Sequence, residues 1–290
     1  MKGINSKIAL DTLKSFIPNF ARKTATEPET MRTEFKAGKY FSGLANNSRA
    51  AAFFGDADKG IKTAASVKVI PEIYENGFNW KKWKADGFLA LVKKVINLAN
   101  LVINPLMLVD SLGFASLGKA VKPLALVSTG LDVIERVVNF AETGLKMGYL
   151  FGGQGSKYVG HMQEKVTKYT TNDDTKAEKW QRRVIAFRMK QGEQFLNIAF
   201  YTSLLAMHIL LGVSLLIPGV NVVVPLLIVV GIVTVVGLTK LAWSTATPEN
   251  KERKFKHIED DNKRSYAQNL RQLWNVTWSL GYKAPKGLYA

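Results

Sequence analysis

The side chains that could do chemistry in this 290-residue chain are few, and their spacing points away from catalysis. Its three histidines, His161, His208 and His257, are far apart and offer no metal-ligand spacing. There is no cysteine, which excludes disulfides, thiolate metal sites and a cysteine nucleophile. Paired carboxylates, a nucleophile elbow and a dinucleotide fingerprint are also missing. The run FGGQGSK at 151–157 superficially suggests a phosphate loop. It lacks the G-x-x-x-x-G-K-[ST] spacing, however, and no strand pattern precedes it, so it is expected to end a helix. The expectation is a non-enzyme with no catalytic, cofactor-binding or metal-ligating residue.

The elements around those residues carry the stronger signal. Between Glu193 and Lys240 there is no Lys, Arg, Asp or Glu. Two apolar runs fill the gap, Phe195–Ile217 and Val222–Trp243, each near the ~20 residues a helix needs to cross a bilayer. The link Pro218-Gly219-Val220-Asn221 is a turn by residue type, and so short a link makes the two helices antiparallel neighbours. A buried soluble hairpin would need apolar cover on every face, which the rest of the chain does not supply. His208 falls in mid-span. Intramembrane ionisable groups are functional candidates, but a neutral histidine with no acidic neighbour in sequence is expected to bond a Ser or Thr of an adjacent helix. Gly212, Gly231 and Gly237 are expected to allow close helix packing.

Basic residues crowd both flanks: Lys176, Lys179, Arg182, Arg183, Arg188 and Lys190 before the pair, and Lys240, Lys251, Arg253, Lys254 and Lys256 after it. The positive-inside rule then puts both ends on one side, cytosol or mitochondrial matrix. Arg182, Arg183, Arg188, Lys190, Lys240 and Trp243 are expected at the lipid headgroups. So are Trp80, Lys81, Lys82, Trp83 and Lys84, whose rings and ammonium groups each have a wet end.

Upstream, residues 4–17 suggest a short helix ended by Pro18, either an import segment or an ordinary surface helix, followed by a linker at 22–30. Residues 31–68 suggest two helices broken near Asn46–Asn47 or Gly55. In Phe88–Val109, Lys93, Asn97, Asn100 and Asn104 recur at helical spacing and form one polar stripe. With Pro105 expected to kink it, this helix should lie at the interface or pack on the hairpin; a tilted span is the alternative. The Asn100 and Asn104 amides should then be hydrogen-bonded. Leu124–Met147 follows as an amphipathic helix with Leu131, Ile134, Val138, Ala141 and Leu145 on one face and Asp132, Glu135, Arg136, Asn139, Glu142 and Lys146 opposite. A charged helix at 175–191 leads into the first span, and the tail carries Trp274, Trp278, Tyr282 and Tyr289.

The expected fold is all-α. A basic helical region (1–86) is followed by interfacial helices (87–150), a Gly-rich break with a charged helix (151–193), the transmembrane hairpin (194–243) and a basic, aromatic tail (244–290). The net charge of +17 suits anionic lipid or a negatively charged organelle interior, and the basic residues lack the aromatic interleaving of a nucleic-acid module.

The stretch KAGKYFSGLANNSRAAAFFGDADKGIKTA, the segment LMLVDSLGFASLGKA and the run RVIAFRMKQGEQFLNIAFYTSLL together resemble the peroxisomal biogenesis factor 11 family of membrane-shaping proteins. That resemblance implies basic amphipathic helices, an interfacial middle region and a homo-oligomer that bends membranes. Ala50 follows Arg49 where the family carries a basic pair, and a long apolar run follows the hairpin turn. The same architecture suits a non-catalytic accessory subunit of a large complex in the mitochondrial inner membrane, which is the favoured expectation. The peroxisomal membrane-bending role and a bacterial inclusion-membrane effector are the alternatives. The expected partners are anionic lipids and other membrane subunits or copies of the chain, not nucleic acid.

Overall fold

The computed structural model describes residues 2–26, 28–44, 47–67, 70, 71, 74, 88–217 and 219–247. Among them every regular element is helical. The long helices are α1 (Lys2–Thr26), α2 (Pro28–Leu44), α3 (Ser48–Val67), α4 (Phe88–Ser111), α5 (Val121–Phe151), α6 (Gly153–Thr170), α7 (Asp174–Leu216) and α8 (Val223–Ala246), with a 3₁₀ turn at Gly118–Ala120. Trp80 to Lys84 and the tail from residue 248, with its tryptophans and His257, lie outside the described residues.

Side-chain caps set several boundaries. Asn47 Oδ1 accepts from Ala50 N at 3.0 Å and starts α3, so the break falls at the Asn46–Asn47 position and Gly55 lies inside the helix. Asp173 Oδ1 likewise accepts from Lys176 N at 3.0 Å and starts α7. The end of α4 is a Schellman motif: Phe114 N bonds Val109 O, Gly113 N bonds Asp110 O, and Gly113 takes φ +76°. Gly219 adopts φ +92° in the link before α8, and Asn221 Oδ1 accepts from Val223 N.

Two expected breaks fail. α1 runs through Pro18 to Thr26, and α2 begins at Pro28, so the expected linker is mostly helix. Pro18 is exposed, where water can serve the carbonyl it leaves unbonded. Pro105 likewise sits inside α4, whose 24 residues extend about 36 Å. The Gly-rich stretch ends α5 at Phe151, as expected, but α6 begins directly at Gly153, a helix the sequence pattern did not disclose.

α4, α7 and α8 are each long and apolar enough to cross a membrane. The chain divides into two compact units. The first holds residues 2–23, 142–198 and 239–247, and the second 24–141 and 199–238. The first is centred on Leu150, Tyr158, Met162, Val166, Val184 and Phe187, with Trp180 against them. In this unit Ile8 of α1 is buried, and Lys7 and Asp11 pair with Glu178 and Arg182 of α7. The second unit packs Phe200, Leu204 and Met207 of α7 against Leu226, Val230 and Val233 of α8, together with Ala37 of α2. α3 packs on α2 and α4, and Gly38 of α2 admits the Phe54 ring closely enough that a Cβ would stand 2.9 Å from it.

Candidate functional site

The polar face of α5 points inward. Ser128, Asp132, Arg136, Asn139 and Thr143, spaced 4, 4, 3 and 4, are all buried, while Val127, Ile134, Val137 and Phe140 are exposed. This inverts the ordinary amphipathic arrangement expected of the segment: Val138 and Leu145 are buried, but Ile134 of the expected core stripe faces out. The physical reason is that the inner positions have charged partners. Those partners come as further i, i+4 pairs, Arg32 and Lys36 on α2 and Asp58 and Lys62 on α3.

Within the second unit these helices build an ionic cluster. Lys62 Nζ bonds Ser128 Oγ at 2.8 Å and Asp132 Oδ2 at 3.0 Å. Arg32 Nε bonds Asp58 Oδ1 at 3.2 Å, and its Nη2 stands 3.9 Å from Asp132 Oδ1. His208 of α7 closes the cluster. Its Nδ1 lies 2.7 Å from Leu204 O and must donate, because a carbonyl only accepts. In the neutral ring Nε2 is then the acceptor, and Lys36 Nζ reaches it at 3.1 Å. Asp132 Oδ2 is 3.5 Å from the same nitrogen. His208 therefore has an acidic neighbour, an ammonium donor and its own-helix carbonyl, and not the Ser or Thr bond expected from sequence. Burial pushes the Lys36 ammonium down to about 8 against the pull of Asp58. Burial alone would raise Asp58, but Lys36 and then Arg32 hold it below the usual carboxylate range.

The other residues singled out in the sequence do not gather into one site. Arg183 is buried with its guanidinium 4.4 Å over the Trp180 ring. Arg182 is tied to Glu178 and Asp11, and Arg188 is exposed. Lys190 and Lys240 are half-buried. Trp243 is partly exposed, yet its indole N–H bonds Met189 O at 2.7 Å. Asn100 and Asn104 are buried and Asn97 half-buried. Among the described residues Asn100 Oδ1 and Asn104 Nδ2 have no hydrogen-bond partner, contrary to expectation. Gly237 is buried, a Cβ added at Gly212 would stand 3.9 Å from Thr129 Cγ2, and one added at Gly231 would meet nothing within 4 Å. Among the described residues no group of acids and histidines is set to hold a metal ion. Compared with known proteins, the chain matches no family model, no curated protein and no solved structure.

Proposed function

We propose that the chain is a non-catalytic integral membrane protein that serves as a structural subunit of a larger assembly in an organelle membrane. In this reading α8 and the apolar half of α7 form a transmembrane hairpin whose basic ends share one side. One observation carries it: only 17% of the apolar window of α4 and 22% of those of α7 and α8 are buried by the chain itself. Val102, Leu106, Ile209, Val224, Ile228 and Val235 all face outward and need lipid or another subunit to cover them. The inward polar stripe of α5 supports the same reading, because a polypeptide in lipid keeps its polar groups inside. The basic flanks and the +17 charge favour a membrane whose inner face is negatively charged, as in mitochondria.

The test is a native gel of detergent-solubilised source membranes, probed for this chain. Comigration with a megadalton complex supports the subunit reading. A ladder of self-multiples supports a homo-oligomeric membrane-shaping role instead. Release of the chain by alkaline carbonate would remove both.

A further inference from the structure

α5 carries Asp132, Glu135, Arg136, Glu142 and Lys146, and composition alone would keep such a helix out of a membrane. The folded chain removes that objection. From Pro123 to Phe151 every exposed residue among those described is apolar or glycine, Val127, Ile134, Val137 and Phe140 included. Asp132 and Arg136 are buried, and Glu135, Glu142 and Lys146 are half-buried. The uncharged outer face extends about 43 Å along the helix at 1.5 Å per residue. The hydrocarbon of a bilayer is only ~30 Å thick. A helix at a boundary with water would turn its charges out and Ile134 and Val137 in. The reverse arrangement is favourable where the outer medium is apolar.

α5 also runs beside the apolar span of α7. In the second unit Asp132 Oδ2 is 3.5 Å from His208 Nε2, and a Cβ added at Gly212 would stand 3.9 Å from Thr129 Cγ2. Residue numbers rise along α5 as they fall along α7, so the two helices are antiparallel there. In the first unit Gln191 Nε2 donates to Leu150 O at 2.8 Å. As many residues separate Thr129 from Leu150 as separate Gly212 from Gln191, so both contacts share one register. In that register the α7 run 195–217 is matched by 124–146 of α5.

We propose that α5 is itself a transmembrane helix, with its charged face turned into the protein and its outer face against lipid acyl chains. This rests on the hairpin reading of α7 and α8 and adds two crossings to it. α5 ends on the side of the basic flank that opens α7, so it starts on the far side. α4, 24 residues long, then makes the preceding crossing in the opposite sense. The link 112–120 falls on the same side of the membrane as the hairpin turn. The lysines agree with that direction: Lys81, Lys82, Lys84, Lys93 and Lys94 stand before or early in α4, against Lys119 and Lys122 at the link and the start of α5.

Single cysteines in the full chain test the crossing, since the sequence has none of its own. Ser116 is exposed in the link. In sealed membranes Ser116→Cys should react with an impermeant maleimide from the same side as Val220→Cys and from the side opposite Lys179→Cys. Ser116→Cys labelling from the Lys179 side, with Val220→Cys labelling from the other, would overturn the crossing of α5 and leave the hairpin standing. Val220→Cys labelling from the Lys179 side would instead remove the hairpin, and the proposal with it. Nitroxides attached at Ile134→Cys and Val137→Cys, in liposomes of phosphatidylcholine and phosphatidylglycerol, report what covers the outer face. Dissolved oxygen should shorten their relaxation, and a water-soluble nickel chelate should lose its effect on them. Relaxation by the chelate would mean that the face meets water. Loss of relaxation by both reagents would mean that a second copy or another subunit covers it. Either result would overturn the lipid contact.

Discussion

Trp243 of α8 lies across Gly192 of α7 so closely that a Cβ added at Gly192 would stand 2.6 Å from Cζ2 of the indole. The ring is rigid, and its N–H is committed to Met189 O at 2.7 Å, so it cannot swing aside without losing that bond. Gly192→Ala should therefore cost about 1–3 kcal/mol through overpacking. Trp243→Phe keeps most of the contact and removes one donor, for about 1 kcal/mol. Melts in detergent check both. An unaltered Gly192→Ala protein would mean that the two helices do not meet there.

The ionic cluster should behave as a coupled unit. Asp132→Asn removes the charge that Lys62 and His208 face, and Lys62→Met removes the ammonium that Asp132 faces. Each single change leaves the other charge in a nearly dry site and should cost about 3–5 kcal/mol. The double variant Lys62→Met with Asp132→Leu should cost less than the sum of the singles, since both members of the Lys62–Asp132 pair are then removed together. Additive losses in a double-mutant cycle would show that the two groups act independently.

These two features show what could be foreseen from the residues and what could not. The apolar runs, the Asn46–Asn47 break and the all-helical class follow from local composition and 3.6-residue periodicity, which any short window carries. The cluster does not, because Lys36 and His208 are separated by 172 residues and Lys62 and Asp132 by 70. Its trace was present as i, i+4 pairs on α2, α3 and α5, yet solvent-facing charges repeat at that interval too. Only the tertiary fold shows whether the polar face of α5 turns in or out. Pro18 misled for a related reason: one missing hydrogen bond in a long helix costs less than abandoning the contacts on either side.

Asn100 and Asn104 are buried, and Asn100 Oδ1 and Asn104 Nδ2 lack hydrogen-bond partners among the described residues. Replacing an unsatisfied buried amide by an apolar group of similar size relieves a desolvation penalty of about 1–3 kcal/mol per group. Asn100→Leu and Asn104→Leu should accordingly leave Tm unchanged or raise it. A clear drop for either would mean that its amide has a partner in the membrane-embedded protein.

Lys36 gives the stability a dependence on alkaline pH. Burial pushes its ammonium down to about 8 in the folded protein, from the ordinary 10.5. Between those values the unfolded chain binds the proton and the folded protein does not, so stability should rise as pH increases from about 8 to about 10.5. Below that window both states are protonated and the contribution is flat. Melting temperatures measured in phosphate-free buffer from neutral to alkaline pH should show this rise in wild type and lose it in Lys36→Gln. The same slope in both proteins would assign it to another group.

The proposed membrane hairpin puts its two basic flanks on one side, and a chain without cysteine makes that directly measurable. Single cysteines at Lys179, Val220 and Ser244 in sealed membranes, treated with an impermeant maleimide, report the side of each position. Lys179→Cys and Ser244→Cys should label from one side and Val220→Cys from the other. Labelling of Lys179→Cys and Ser244→Cys from opposite sides, or of all three from the same side, would contradict it.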